Sequence, residues 1–256
     1  MRNLSAMFVV VLLTGIAGME GQTAAAPPAE KLTFEKLIKA TKNTLRDSAE
    51  LPMVMRVSLV ASDTSGRVRR QKTSAYEYDF HGFNPKSSHA SATLSGSRNL
   101  MNAARNSSLF FVGPVFVLDP AVTDHYTFDI TEANDTNPYI RLKARPTAPV
   151  CGAFDWNIGY QAPNNFCGRR IDMDFETGDL SLHRYVFEYA GLPIETKVEP
   201  FGRSTLLGYR MEVELQSTTL PGDPKPFLIP KRSVTTIETS KGKVVIDTTY
   251  ALRNKK

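Results

Sequence analysis

Residues 207–216 read LGYRMEVELQ, and their pattern decides the fold class of this chain. Apolar side chains occupy every second position of the stretch: Leu207, Tyr209, Met211, Val213 and Leu215. A glycine and three charged residues stand between them, and Gln216 follows. Successive side chains of a strand point to opposite faces, so the pattern predicts one apolar and one solvated face. Such strands are typical of antiparallel sheets that pack one face and leave the other in water.

Further strands follow toward the C-terminus, where residues 227–252 read FLIPKRSVTTIETSKGKVVIDTTYAL. Two runs rich in β-branched residues, 227–239 and 244–252, flank Ser240-Lys241-Gly242, which is a hairpin signal. A short turn between two strands makes neighbours in sequence neighbours in the sheet. The C-terminal part is therefore predicted to be an antiparallel meander.

Residues 170–185, RIDMDFETGDLSLHRY, hold an acidic segment for which a calcium loop and a hairpin turn are the two hypotheses. A calcium loop of the EF-hand type needs glycine at its sixth position and glutamate at its twelfth. Counted from Asp172, these positions hold Thr177 and His183 instead. Since Asp172 and Asp174 alternate with apolar residues, we predict that they face water on a strand that ends in a turn. The four histidines of the chain show no ligand spacing either, so no metal site is predicted.

The first half of the chain predicts one helix and one hairpin. Apolar residues recur at helical spacing over about 33–48, with Thr33 as the capping residue. Asp63-Thr64-Ser65-Gly66 then marks a turn between two runs with a period of two residues. Residues 109–118, LFFVGPVFVL, form a very apolar stretch that a Gly-Pro pair interrupts. They are either core or the wall of an apolar cavity.

Three regions are predicted from the order of these patterns. Residues 1–22 contain an uncharged apolar run behind Arg2 and are predicted to be a cleaved signal peptide. An Ala/Pro linker follows over 23–31, and residues 32–256 are predicted to form a single β-rich domain. No cysteine stands near the expected cleavage sites, so a lipid-anchored lipoprotein is not expected. The mature chain is predicted to be periplasmic or secreted.

The two cysteines, Cys151 and Cys167, fit an exported protein. An oxidising compartment favours a disulfide between them. The alternative, a catalytic thiol with a histidine partner, requires one of the two cysteines to stay unpaired.

Motifs for catalysis and cofactor binding are absent from the sequence. It contains no G-x-S-x-G nucleophile elbow, no phosphate-binding glycine loop and no pair of carboxylates in an apolar setting. We therefore predict no catalytic residue, no enzyme activity and no cofactor. The formal net charge of +5 is spread along the chain without interleaved aromatic residues, so nucleic-acid binding is not predicted. Peripheral contact with anionic lipid head groups stays open.

Three local patterns resemble the LolA-like outer-membrane lipoprotein-sorting proteins. They are the hairpin with Ile171-Asp172 and Glu176-Thr177-Gly178, the strand entry Phe227-Leu228-Ile229-Pro230, and the final hairpin Lys241-Gly242-Lys243 followed by Val244-Val245-Ile246. The resemblance implies a mainly β (α+β) fold: a single strongly curved antiparallel sheet, an unclosed half-barrel, with covering helices. It also implies an apolar concave side that accepts acyl chains.

The resemblance and the one-sided strands lead to three functional hypotheses. The first is a periplasmic, non-catalytic carrier or chaperone for a lipid or for the acyl chains of a lipoprotein. Its candidate ligand-binding residues are Phe110, Phe111, Val115, Phe116, Leu207, Tyr209, Met211 and Val213. The second is an envelope structural or interaction protein of the same fold, with a filled core and a protein partner. The third is a secreted hydrolase, against which the absence of catalytic motifs counts.

Overall fold

The structure of the protein, a computed structural model, describes residues 34–44, 50–81, 89–96, 100, 126–147, 169–189, 193–220 and 223–253. These residues contain one helix, α1 (Phe34–Thr44), and eleven strands. The strands are β1 (Glu50–Asp63), β2 (Val68–His81), β3 (His89–Gly96), β4 (Tyr126–Thr131), β5 (Ile140–Pro146), β6 (Arg169–Phe175), β7 (Leu182–Tyr189), β8 (Ile194–Val198), β9 (Gly202–Leu220), β10 (Asp223–Thr239) and β11 (Gly242–Leu252).

The eleven described strands belong to one antiparallel sheet. Its order is β3-β2-β1-β11-β10-β9-β7-β6-β5-β4, and β8 pairs with the first part of β9. The pairing of β1 with β11 brings the N-terminal hairpin beside the C-terminal hairpin. The end strands β3 and β4 do not pair with each other in the described part of the chain, so the sheet is unclosed.

The sheet also curls toward one face. Phe80 in β2 and Phe227 in β10 have β1 and β11 between them, yet their ring centroids are 6.0 Å apart. In a flat sheet, with strands about 4.8 Å apart, the two strands would be separated by roughly 14 Å. The predicted mainly β fold, a curved and unclosed antiparallel sheet, is confirmed.

The predicted N-terminal helix over 33–48 is confirmed for Phe34–Thr44. The predicted capping residue Thr33 and residues 45–48 lie outside the described residues. Leu37 and Thr41 lie one turn apart on its buried side, and the Thr41 hydroxyl donates a hydrogen bond of 2.7 Å to the Leu37 carbonyl. Within the described ranges, no helix has the length and apolar character that a membrane crossing needs.

The predicted turn between β1 and β2 is organised by Asp63. Its Oδ1 accepts hydrogen bonds of 3.0 Å from the backbone N–H groups of Ser65 and Arg67. Its Oδ2 accepts a bond of 2.7 Å from Arg69 Nε. These donors, the Ser65 hydroxyl first among them, lower the pKa of Asp63 from 3.8 to about 2. The charged carboxylate of Asp63 thus stabilises the turn.

The predicted hairpin between β10 and β11 depends on Gly242. The residue has a φ of +153°, and a Cβ atom there would lie 2.2 Å from the Ser62 carbonyl oxygen. The same Cβ atom would lie 2.7 Å from the Phe201 ring. Only glycine therefore lets β11 approach β1 closely at this turn.

Candidate functional site

One side of the curled sheet, which we call the inner face, consists of buried side chains from eight strands. It comprises Tyr76, Tyr78 and Phe80 of β2, Met53, Met55, Val57 and Leu59 of β1, Val244, Ile246, Thr248 and Tyr250 of β11, Ser233, Thr235 and Ile237 of β10, Tyr209, Met211 and Val213 of β9, Tyr185 and Phe187 of β7, Ile171, Met173 and Phe175 of β6, and Ile140, Leu142 and Ala144 of β5. The set contains no acidic or basic side chain. Hydrocarbon can therefore be buried against these side chains without leaving a charged group buried and unpaired.

The strand register aligns one row of the inner face across five strands. Tyr185 pairs with Val213, Val213 with Ser233, and Ser233 with Thr248. Thr248 pairs in turn with Val57. The other four members of this row have small side chains, and we call these four residues the strip: Val213, Ser233, Thr248 and Val57.

Three tyrosines stand close to this strip. Tyr250 follows Thr248 by two residues on the same face of β11, and its ring centroid lies 5.6 Å from that of Tyr78 in an edge-to-face arrangement. Burial raises the pKa of Tyr185 well above its ordinary value, and the phenols of Tyr250 and Tyr78 add to the shift. The phenol of Tyr185 is therefore uncharged at any physiological pH.

Thr248 is one of the buried polar residues of the inner face, with Ser233 and Thr235. Its side chain is fully buried, with 0% exposure. Its Oγ1 has no hydrogen-bond partner among the described residues. Burying a hydroxyl without a partner is unfavourable, so this group can donate one hydrogen bond to a molecule that reaches the strip.

Helix α1 lies against the inner side of the sheet. Phe34 stacks on Phe128 of β4, with ring centroids 4.1 Å apart. Phe128 pairs with Ala144 of the inner face, and α1 also contacts β10. The helix thus covers part of the concave side, as the resemblance implied.

The outer face carries ion pairs that link neighbouring strands. Asp174 accepts hydrogen bonds from Arg141 Nε at 2.7 Å and from Arg184 Nε at 3.0 Å, and Arg184 Nη1 also donates to Glu212 at 2.7 Å. Asp174 is only 3% exposed because the two arginines cover it. The prediction that Asp174 faces water was wrong for this reason, although the residue does lie opposite the inner face.

The acidic segment forms the predicted hairpin between β6 and β7. The Glu176 N–H donates to the Ser181 carbonyl, and the Ser181 N–H donates to Asp179 Oδ1. The neighbouring Asp172 forms an ion pair of 2.6 Å with Arg145. In the described residues, no group of three or more histidine, cysteine or acidic side chains is placed to hold a metal ion.

Tyr209, Met211 and Val213 lie on the inner face, as their alternation predicted, and their binding of a ligand stays a prediction. Leu207 does not share that face, because it is 53% exposed. The register between β9 and β10 shifts here: Glu238 pairs with Gly208, but Thr239 pairs with Leu206. Leu207 is the extra residue of this β-bulge, which turns its side chain to the opposite face. The prediction that Leu207 shares the face of Tyr209 was wrong.

The other predicted site residues lie outside the described residues. They are Phe110, Phe111, Val115 and Phe116, together with the cysteines Cys151 and Cys167. Their roles as cavity wall and disulfide stay predictions.

Sequence reasoning missed the polar residues of the inner face. Thr248 and Tyr250 alternate with Asp247 and Thr249, and that period of two was present in the sequence. The sequence did not show that Tyr185 lies near this part of β11, because that proximity depends on the order of the strands.

Comparison with known proteins gives a structural similarity only. No protein-family model matches the chain, and no curated protein matches it. Among solved structures, the chain is similar to a LolA superfamily protein from Nitrosomonas europaea, at 12% sequence identity and a TM-score of 0.32. The alignment covers 88% of this chain and 96% of that protein. No residue role is transferred from that structure to this chain.

Proposed function

We propose that the protein is an exported, non-catalytic carrier that binds an acyl chain of a lipid or lipoprotein against its inner face. The observation that carries the proposal is the inner face of the unclosed sheet, whose buried side chains from β2 to β5 include no acidic or basic group. The sequence patterns shared with the LolA-like lipoprotein-sorting proteins support the same function. A signal peptide over 1–22 would deliver the chain to the periplasm.

The energetics of such binding need no catalytic group. Each methylene that leaves water for an apolar site contributes about 0.8 kcal/mol. An acyl chain that displaces α1 or packs beside it would gain this contribution along its length. A carrier of this kind releases its ligand unchanged, which agrees with the absence of catalytic motifs in the sequence.

The test is lipid extraction from the protein purified from its native envelope, followed by mass spectrometry. We expect an acyl-bearing molecule in the extract. The delipidated protein should also take up the uncharged fluorescent dye N-phenyl-1-naphthylamine, which serves as an apolar probe. An extract without lipid, together with no dye uptake, would contradict the proposal.

A matched pair of variants locates the binding face. Val213→Phe adds a ring to the inner face and should reduce dye uptake, whereas Glu214→Phe places the same ring on the outer face and should not. Circular dichroism shows whether both variants keep the sheet. Equal uptake by the two variants would argue against binding on the inner face.

A second function, an envelope interaction protein with a filled core, is favoured by one specific observation. Inner-face side chains such as Tyr76, Met55 and Met211 have 0% exposure. If the inner face is permanently packed, the protein should take up no dye. A pull-down from envelope extracts should then recover one protein partner in fixed stoichiometry.

A further inference from the structure

The small-residue strip of the inner face holds a hydrogen-bond donor in apolar surroundings. Thr248 lies between Val57 and Ser233 in the register, and Ile246 and Tyr250 flank it along β11. Its hydroxyl is fully buried and has no partner among the described residues. A hydrophobic core would gain stability from valine at this position, because valine has nearly the same shape without the hydroxyl. The hydroxyl is therefore a candidate for recognition of a ligand.

The charge around the strip limits the ligand group that the hydroxyl can accept. The inner face as defined above has no acidic or basic side chain. The nearest cation that continues this face is Lys72 of β2, which pairs with Leu59. In ideal sheet geometry Lys72 is two strands and two residues away from Thr248, about 12 Å between Cα atoms. A carboxylate or phosphate at Thr248 would therefore be buried without a counter-ion from the described strands, which is unfavourable.

The tyrosines beside the strip add to this selectivity. Tyr78 and Tyr250 meet edge to face, and burial together with these two phenols keeps Tyr185 in its neutral form. The described side chains of this neighbourhood are thus uncharged, and its polar groups are the hydroxyls of Thr248, Ser233 and the tyrosines. An uncharged hydrogen-bond acceptor attached to hydrocarbon fits these surroundings.

We propose that the Thr248 hydroxyl donates a hydrogen bond to the uncharged carbonyl of an acyl ester or amide, so that the inner face selects esterified acyl chains over free fatty acids. This inference rests on the proposed function, because it assigns the chemistry of a ligand bound at that same face. It places the carbonyl at the strip of small residues and the hydrocarbon along the apolar rows on either side.

The experiment measures competition for the inner face in the delipidated full chain. N-phenyl-1-naphthylamine is bound first and then displaced by methyl decanoate or by decanoate at neutral pH. We expect the ester to compete better than the carboxylate. The Thr248→Val variant should bind the ester roughly three- to tenfold more weakly relative to the dye, the effect of one neutral hydrogen bond.

Two further variants separate recognition from folding. Thr248→Ser keeps the hydroxyl and should keep the preference for the ester. Thr249→Val makes the same replacement on the exposed, opposite face of β11 and should change neither affinity.

Two results would overturn the inference while leaving the proposed function intact. In the first, both chains take up the dye, and Thr248→Val binds the ester as tightly as the parent chain does. In the second, decanoate competes better than its ester. Failure of the parent chain to bind the dye and the ester would overturn the inference and the proposed function together.

Discussion

Replacement of Thr248 by valine should stabilise the ligand-free protein. The hydroxyl is fully buried without a hydrogen-bond partner in the described part of the chain, and such a group destabilises the folded state by about 1–3 kcal/mol. Valine has almost the same volume and a similar preference for strands, so it removes this penalty without opening a cavity. We expect the free energy of unfolding to rise by about 1–3 kcal/mol.

Urea unfolding of the delipidated protein measures the change, followed by circular dichroism. In a domain of this size each kcal/mol corresponds to a Tm shift of about 2–4 °C, so thermal unfolding provides an independent check. The control is Thr249→Val, on the exposed face of the same strand, which should stay within about 0.5 kcal/mol of the parent chain. A Thr248→Val variant that is less stable than the parent would mean that the hydroxyl has a partner in the folded protein, and the reasoning would fail.

Three further predictions concern the fold. Gly242→Ala should lower the free energy of unfolding by about 2 kcal/mol or more, since the alanine Cβ would collide with the Ser62 carbonyl. Gly178→Ala is the neutral control, because a Cβ at that position meets nothing within 4 Å. Equal thermal stability of the two variants would refute the argument. Asp174→Asn should lower the free energy of unfolding by about 1–3 kcal/mol in urea unfolding, because the ion pairs with two arginines lose their charge and one acceptor oxygen is replaced by an NH2 group. An unchanged midpoint would show that these ion pairs contribute nothing. The Asp63 carboxylate should titrate by NMR with a pKa of about 2; its stabilising effect is present above pH 4 and lost as the pH falls toward 2, and a midpoint near 3.8 would contradict the turn geometry.

Local pattern predicted much of the fold. The alternation in β9 and β11 and the turns at 63–66 and 240–242 each depend on a few consecutive residues, and the structure confirms them. The helix over Phe34–Thr44 followed from its period in the same way. Such features could be predicted because backbone preference and side-chain alternation depend on a few consecutive residues.

Departures from the pattern arose where distant strands meet. Leu207 follows the alternation in sequence, yet a bulge against β10 turns it outward. Asp174 has the sequence setting of a solvated residue, but arginines from β5 and β7 cover it. Neither the partner strand nor its register can be predicted from the residues next to these positions.

The sequence by itself determined that the chain forms one-sided antiparallel strands joined by short turns, because a period of two residues places apolar side chains on one face. Tertiary structure alone decided what that face contains. The pairing of β1 with β11 and of β9 with β7 brings Thr248, Tyr250 and Tyr185 into one neighbourhood, although 63 positions separate Tyr185 from Thr248 in the chain (248 − 185). Strand order, register and curl depend on contacts between distant segments, and these contacts decide whether a hydroxyl is solvated or buried without a partner.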